Sequence, residues 1–228
     1  MALNVSRHTP VIITSQINAL IVCCLLIGLH TIVGAQNPTV LDPNLQVRPV
    51  VVGLQTPSSM AFLGRDDFLV LEKETGRVQR VTGGVVETVL DLPVNFASER
   101  GLLGIALHPD FPDNPGVYLY WTESTTGADS GELSETPLLG NRVDRFTWNG
   151  STLTFDQNII QLRALQPENP PFETGAFGNH DGGILRFGLG GKLFIFIGDV
   201  GRRGQLQNLP CGPTPDCPGP TVDDDQFG

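Results

Sequence analysis

Between residues 57 and 161 the hydrophobic positions fall in short runs, either continuous or alternating with polar residues, and turn-forming pairs separate them. Residues 57–62, 68–71, 77–82 and 85–90 form four such runs, parted by Asp66-Asp67, Thr75-Gly76 and Gly83-Gly84. Runs of this length with these punctuators predict strands, and four in succession predict one antiparallel sheet. The order recurs over 101–107, 117–121, 141–148 and 152–161, interrupted by a turn at 112–116, a long polar insertion at 123–137 and Asn149-Gly150. A third unit opens at Gly183, where 184–187 and 193–197 are apolar enough to predict two buried strands joined by a Gly-rich turn. Repeated four-stranded sheets with long loops on one face are what a β-propeller is built from, so the expected fold is all-β. About two and a half units are legible, fewer than the four or more that close a ring. We therefore expect the N-terminal part of a larger propeller; the alternative is a short protein that closes by oligomerising or folds otherwise.

Composition agrees with strands and turns. Of 228 residues 27 are Gly and 18 Pro, which disfavours long helices. The net charge is −10 and there are only two lysines, Lys73 and Lys192. Nucleic acid and anionic membrane surfaces both require clustered cations, so neither is an expected partner. Near the N-terminus, Arg7 and His8 precede the apolar run 19–29, and Val33-Gly34-Ala35 offers a small-residue cleavage site before Gln36. This predicts a secretory signal at 1–35, a linker at 36–46 and the propeller from 47 to 228, in a secreted or periplasmic protein. An uncleaved anchor beginning near Val11 is the competing reading. Cys23 and Cys24 would leave with the signal, and Cys211 and Cys217 would form a disulfide ring in an oxidising compartment or remain free thiols.

Chemistry concentrates in GNHDGGILRFGLGGKLFIFIGD, residues 178–199. A lone histidine, His180, lies among glycines at 178, 182 and 183 that permit left-handed backbone and close approach. By itself such a histidine is more often a turn residue bonded to backbone than a catalyst. The segment resembles the glucose/sorbosone dehydrogenase family, in which an Asn-His or Asp-His pair precedes a small Gly-containing stretch and a strand ending in Gly-Asp. Asn179, His180, Gly182, Gly183, Phe187, Gly198 and Asp199 carry the likeness. A second block about 80 residues earlier, ERGLLGIALHPDF at 99–111 followed by the aromatic strand 117–121, resembles the family independently. The likeness covers residues 47–209.

The resemblance implies a six-bladed propeller and a quinoprotein that oxidises an aldose or related sugar, passing hydride to pyrroloquinoline quinone (PQQ), with calcium as a second cofactor and an external electron acceptor. It implies that His180 is the base taking the proton from the anomeric hydroxyl. An imidazole, with an ordinary pKa near 6.5, suits that role at neutral pH. Asn179 can orient the ring through a hydrogen bond but cannot compensate its charge. Glu99 stands where some family members carry Gln, and a carboxylate there would repel a tricarboxylate quinone unless a cation intervened. Arg100 is the expected cation; a solvated Glu99–Arg100 loop pair is the other reading. Arg202, followed by Arg203, is a further candidate for the quinone carboxylates. His108 beside Pro109 reads as structural, and Asp223-Asp224-Asp225 as a solvated loop. The sequence contains no Walker loop, Rossmann glycine pattern, HExxH or GxSxG motif. Two rivals to the dehydrogenase are a noncatalytic extracellular propeller that binds protein or glycan and a calcium-dependent lactonase-like propeller.

Overall fold

The computed structural model describes residues 39–165, 178–198 and 200. The chain divides into two units, Met1–Arg48 and Pro49–Gly228. Of the first, the described part is an exposed stretch in which the Asp42 carboxylate accepts the Asn44 amide proton at 2.8 Å. The signal expected at 1–35 and the residues Asp199, Arg202, Arg203, Cys211 and Cys217 lie outside the described residues.

The second unit is built from antiparallel sheets. Strands β1 (Pro57–Gly64), β2 (Asp67–Glu72), β3 (Arg77–Thr82) and β4 (Val85–Asp91) pair in chain order. Strands β5 (Leu102–Leu107), β6 (Gly116–Thr122), β7 (Asn141–Trp148) and β8 (Leu153–Leu162) repeat the arrangement. A third sheet starts with β9 (Ile184–Phe187) and β10 (Leu193–Phe196). These are two complete propeller blades and the beginning of a third, with every strand within two residues of its expected bounds. Consecutive blades meet through their first strands, β1 against β5 and β5 against β9.

The middle blade shows why the sequence reads as it does. Along β6 the side chains alternate faces, as the two-residue period of a strand requires. Val117, Leu119 and Trp121 join Leu69, Leu71 and Val78 of the first blade in one buried cluster. Tyr118 and Tyr120 face the other way and pack with Leu185, Phe187 and Ile195 of the third sheet. A strand apolar at every position is thus a strand covered on both faces.

The third sheet departs from expectation. Strands β9 and β10 were expected to be buried, yet only one face of each packs against the middle blade. Leu185 is 1% exposed, whereas Ile184, Phe194 and Phe196 on the opposite face are more than half exposed. An apolar pattern fixes which faces can be buried; it does not supply the layer that covers them, and no described residue does so.

A polar bridge reinforces the first interblade contact. Arg80 of β3 donates to both Asp67 carboxylate oxygens, at 2.9 and 2.7 Å, and its remaining nitrogen donates to the Gly150 carbonyl in the β7–β8 turn. The guanidinium also lies 5.2 Å from the Trp148 ring centre. We expect Arg80→Ala to lower stability by about 1–3 kcal/mol, because it removes a bidentate charged pair and a cross-blade bond together. The Arg80 hydrogen bond also holds the Asp67 carboxyl below its usual range. Its stabilisation is therefore present above the unfolded carboxyl value, near 3.9, and lost as pH falls through the folded value. Urea unfolding from pH 7 to 3 should show a shallower acid decline in Arg80→Ala than in the parent.

Candidate functional site

Two loops meet where the middle blade joins the third sheet. One is residues 98–100, leading into β5; the other is residues 178–183, leading into β9. Both contain a non-glycine residue in the left-handed region, Ser98 at φ 55° and His180 at φ 57°. Such backbone costs about 1 kcal/mol or more at a non-glycine residue and persists where surrounding contacts over-determine it.

Here the contacts pair residue with residue. The Ser98 hydroxyl donates to the Asn179 side-chain oxygen at 2.9 Å. The Glu99 carboxylate accepts the His180 backbone N–H at 2.7 Å. The Arg100 Nε approaches the Asp181 carboxylate at 3.9 Å, with both side chains fully buried. From beneath, the Tyr120 hydroxyl donates to the Asp181 carbonyl at 2.6 Å, and the Asn141 side chain donates to the Asp181 carboxylate at 2.9 Å. Thr122 in turn donates to Asn141 at 2.6 Å. The loop before β5 is itself held by Lys73, whose ammonium donates to the carbonyls of Phe96 and Ser98 at 3.3 and 2.9 Å.

Backbone packing tightens the junction further. Gly183, at φ 113°, lies against the Leu103 side chain, and its carbonyl occupies the space a Cβ on Gly104 would fill. Gly198, two residues after β10, lies directly against the His180 carbonyl. The His180 turn is thus clamped between two strands, and its side chain is half-buried at the surface.

Electrostatics separate the rim from the layer beneath it. Burial pushes the Asp181 carboxyl up, against the opposing pull of the Asn141 hydrogen bond and the Arg100 charge. Burial lowers the Arg100 guanidinium, countered by Asp181. Burial also raises the Tyr120 hydroxyl well above its ordinary value.

The sequence-derived candidates therefore occupy different layers. His180, Asn179 and Glu99 are brought together at the rim. Arg100 is neither a rim cation nor half of a solvated pair: it is 0% exposed and donates to the carbonyls of Leu133 and Ala164 at 2.8 and 2.6 Å. Its guanidinium fork matches converging carbonyls in the interior, which removes it from contact with a surface-bound quinone. Arg202 lies outside the described residues. His108 packs 5.8 Å from the Phe187 ring and lies 3.3 Å from the Asn114 amide, a structural setting. Asp181, Lys73 and Tyr120 were not singled out from sequence. Asp181 follows His180 directly, but an Asp before Gly-Gly reads as an ordinary turn former.

This rim brings together the His180 turn, the Glu99 carboxylate that holds it and, through the Phe96 and Ser98 carbonyls, the Lys73 ammonium. Among the described residues no group of His, Cys, Asp and Glu is arranged to hold a metal ion, and no helix is long and apolar enough to cross a membrane.

The family model for glucose/sorbosone dehydrogenases matches residues 54–211. Quinoprotein glucose dehydrogenase B of Acinetobacter calcoaceticus is 30% identical over 164 residues, covering 70% of this chain and 32% of the relative. Among solved structures, an oxidoreductase described as a glucose dehydrogenase from Thermus thermophilus is similar with a TM-score of 0.51 and 32% identity, over 67% of this chain and 40% of that one. The PQQ-bound aldose sugar dehydrogenase of Streptomyces coelicolor is similar with a TM-score of 0.51 and 25% identity, over 75% of this chain and 52% of that one. The chain thus spans about a third of the curated relative and about half or less of the solved ones.

Proposed function

The chain belongs to the glucose/sorbosone dehydrogenase family, and from that premise we propose that it is part of an exported quinoprotein that oxidises an aldose or related sugar, with His180 as the base. The observation that carries this reading is the placement of His180: half-buried, in a left-handed turn fixed by Glu99 through its backbone N–H, at a junction between blades. In that position the imidazole takes the proton from the anomeric hydroxyl. PQQ, when bound, supplies the acceptor for the hydride leaving the same carbon. Asn179, held by Ser98, would offer its amide to the substrate beside the base, and Lys73 would answer part of the cofactor's negative charge. Calcium and an external electron acceptor belong to this reading by family resemblance alone.

A noncatalytic propeller that binds protein or glycan is the second reading. The inward turn of Arg100 favours it, because one expected quinone cation is thereby withdrawn from the rim. The experiment that separates the two is reconstitution of the complete gene product with PQQ and calcium, followed by quinone binding and dye-linked aldose oxidation. Quinone-dependent turnover is the expected result. A folded protein that takes up no quinone would transfer the assignment to the binding module.

A further inference from the structure

Residues 98–100 and 179–181 form three rungs, and the innermost, Arg100 with Asp181, is a pair of opposite charges with no solvent exposure. We propose that Arg100 and Asp181 are a buried positioning pair that locks the His180 turn to the loop before β5 and so fixes where the imidazole sits for proton transfer. The proposal rests on the reading of His180 as the base.

The pair does not look selected for stability. Removing two charges from water is costly, and an apolar pair of similar volume is often as stable or more so. One Asp181 carboxylate oxygen is buried without a hydrogen-bond partner, which adds to that cost. What the pair achieves is connection. Arg100 reaches the Leu133 carbonyl in the 123–137 insertion and the Ala164 carbonyl after β8. Asp181 reaches Asn141 at the start of β7, and its own carbonyl receives Tyr120 from β6. Two segments of the middle blade therefore bond Asp181, the residue next to His180, and two more bond its partner Arg100.

This arrangement also accounts for the backbone. His180 stays at φ 57° with its N–H given to Glu99 on one side and its neighbour Asp181 tied down on the other. Loss of the inner rung would leave the outer two, each joining an exposed residue to a half-buried one, to hold a strained turn. The imidazole would then sample several positions, and proton transfer depends steeply on distance.

The test uses the full chain. Asp181→Asn keeps the shape and removes the charge, Arg100→Lys keeps the charge and removes the fork, and Tyr120→Phe loosens the same turn through the Asp181 carbonyl with no change in charge. Two readouts apply. The first is the imidazole NMR resonance of His180, told apart from His108 and any other histidine by its loss in His180→Asn. The second is quinone-dependent turnover. In folded variants we expect a displaced or broadened His180 resonance with His108 unmoved, and a kcat lowered at least about tenfold with KM within about twofold. Arg100→Lys should retain more turnover than Asp181→Asn.

A His180 resonance and kcat unchanged in folded variants would overturn the proposal and leave the pair a structural feature alone. Where the charge variants do not fold, Tyr120→Phe decides by the same two readouts. If the parent shows no quinone-dependent turnover the dehydrogenase reading fails, while the resonance still reports on the pair.

Discussion

Replacing His180 with alanine is expected to lower quinone-dependent sugar oxidation by about 10²–10⁴-fold, the usual contribution of a positioned general base. The effect should fall on kcat and on kcat/KM together, because the base acts in the transition state and contributes little to holding the ground-state sugar. Backbone strain complicates the comparison, since His180 occupies φ 57° and alanine has no special tolerance for that region. His180→Asn resolves it. Asparagine enters left-handed backbone more readily than most residues and offers no comparable base. We expect His180→Asn to melt within a few degrees of the parent and still to be nearly inactive. Turnover surviving in both variants would remove His180 from the chemistry, whatever the family likeness of its segment.

The strands were legible because burial writes itself into the sequence at a two-residue period. Val117 to Trp121 is apolar throughout, and each side of β6 proves to have its own cluster of partners. Turn chemistry was equally readable: Asp66 and Gly83, expected to part strands, both take positive φ between them. Local sequence could not say how much cover a strand receives, and the exposed faces of β9 and β10 follow from that limit.

The rim of the site was legible as types and order, and its interior was not. His180, Asn179 and Glu99 were singled out through the resemblance of their two segments to the family, and the structure sets them side by side at the blade junction. The pairing of Arg100 with Asp181 is a long-range fact between residues 81 positions apart in the sequence. Arginine after glutamate before glycine reads as solvated, and only the convergence of the Leu133 and Ala164 carbonyls makes a fully buried guanidinium tenable. Burial of charge is the property least visible in a linear pattern.

Gly198→Ala is expected to damage stability and function together, by steric means rather than through backbone preference. A Cβ at Gly198 would lie within the His180 carbonyl group, 2.6 Å from its carbon and 2.8 Å from the His180 Cβ. Real Cβ atoms do not approach backbone so closely, so either the end of β10 or the His180 turn must move. The turn has little room to yield: Glu99 holds its N–H, while Tyr120 and Asn141 hold the next residue. Overpacking of this kind costs about 1–3 kcal/mol. If the turn gives way, a shift on the order of 1 Å in the base lowers turnover by about 10²-fold. Gly190→Ala is the matched control, since a Cβ at Gly190 meets nothing within 4 Å. Its stability should lie within about 0.5 kcal/mol of the parent, with full turnover. Thermal melts and steady-state rates on the two variants decide the matter: equal behaviour would mean that the His180 turn yields freely, and that a rigid junction is not what places the imidazole.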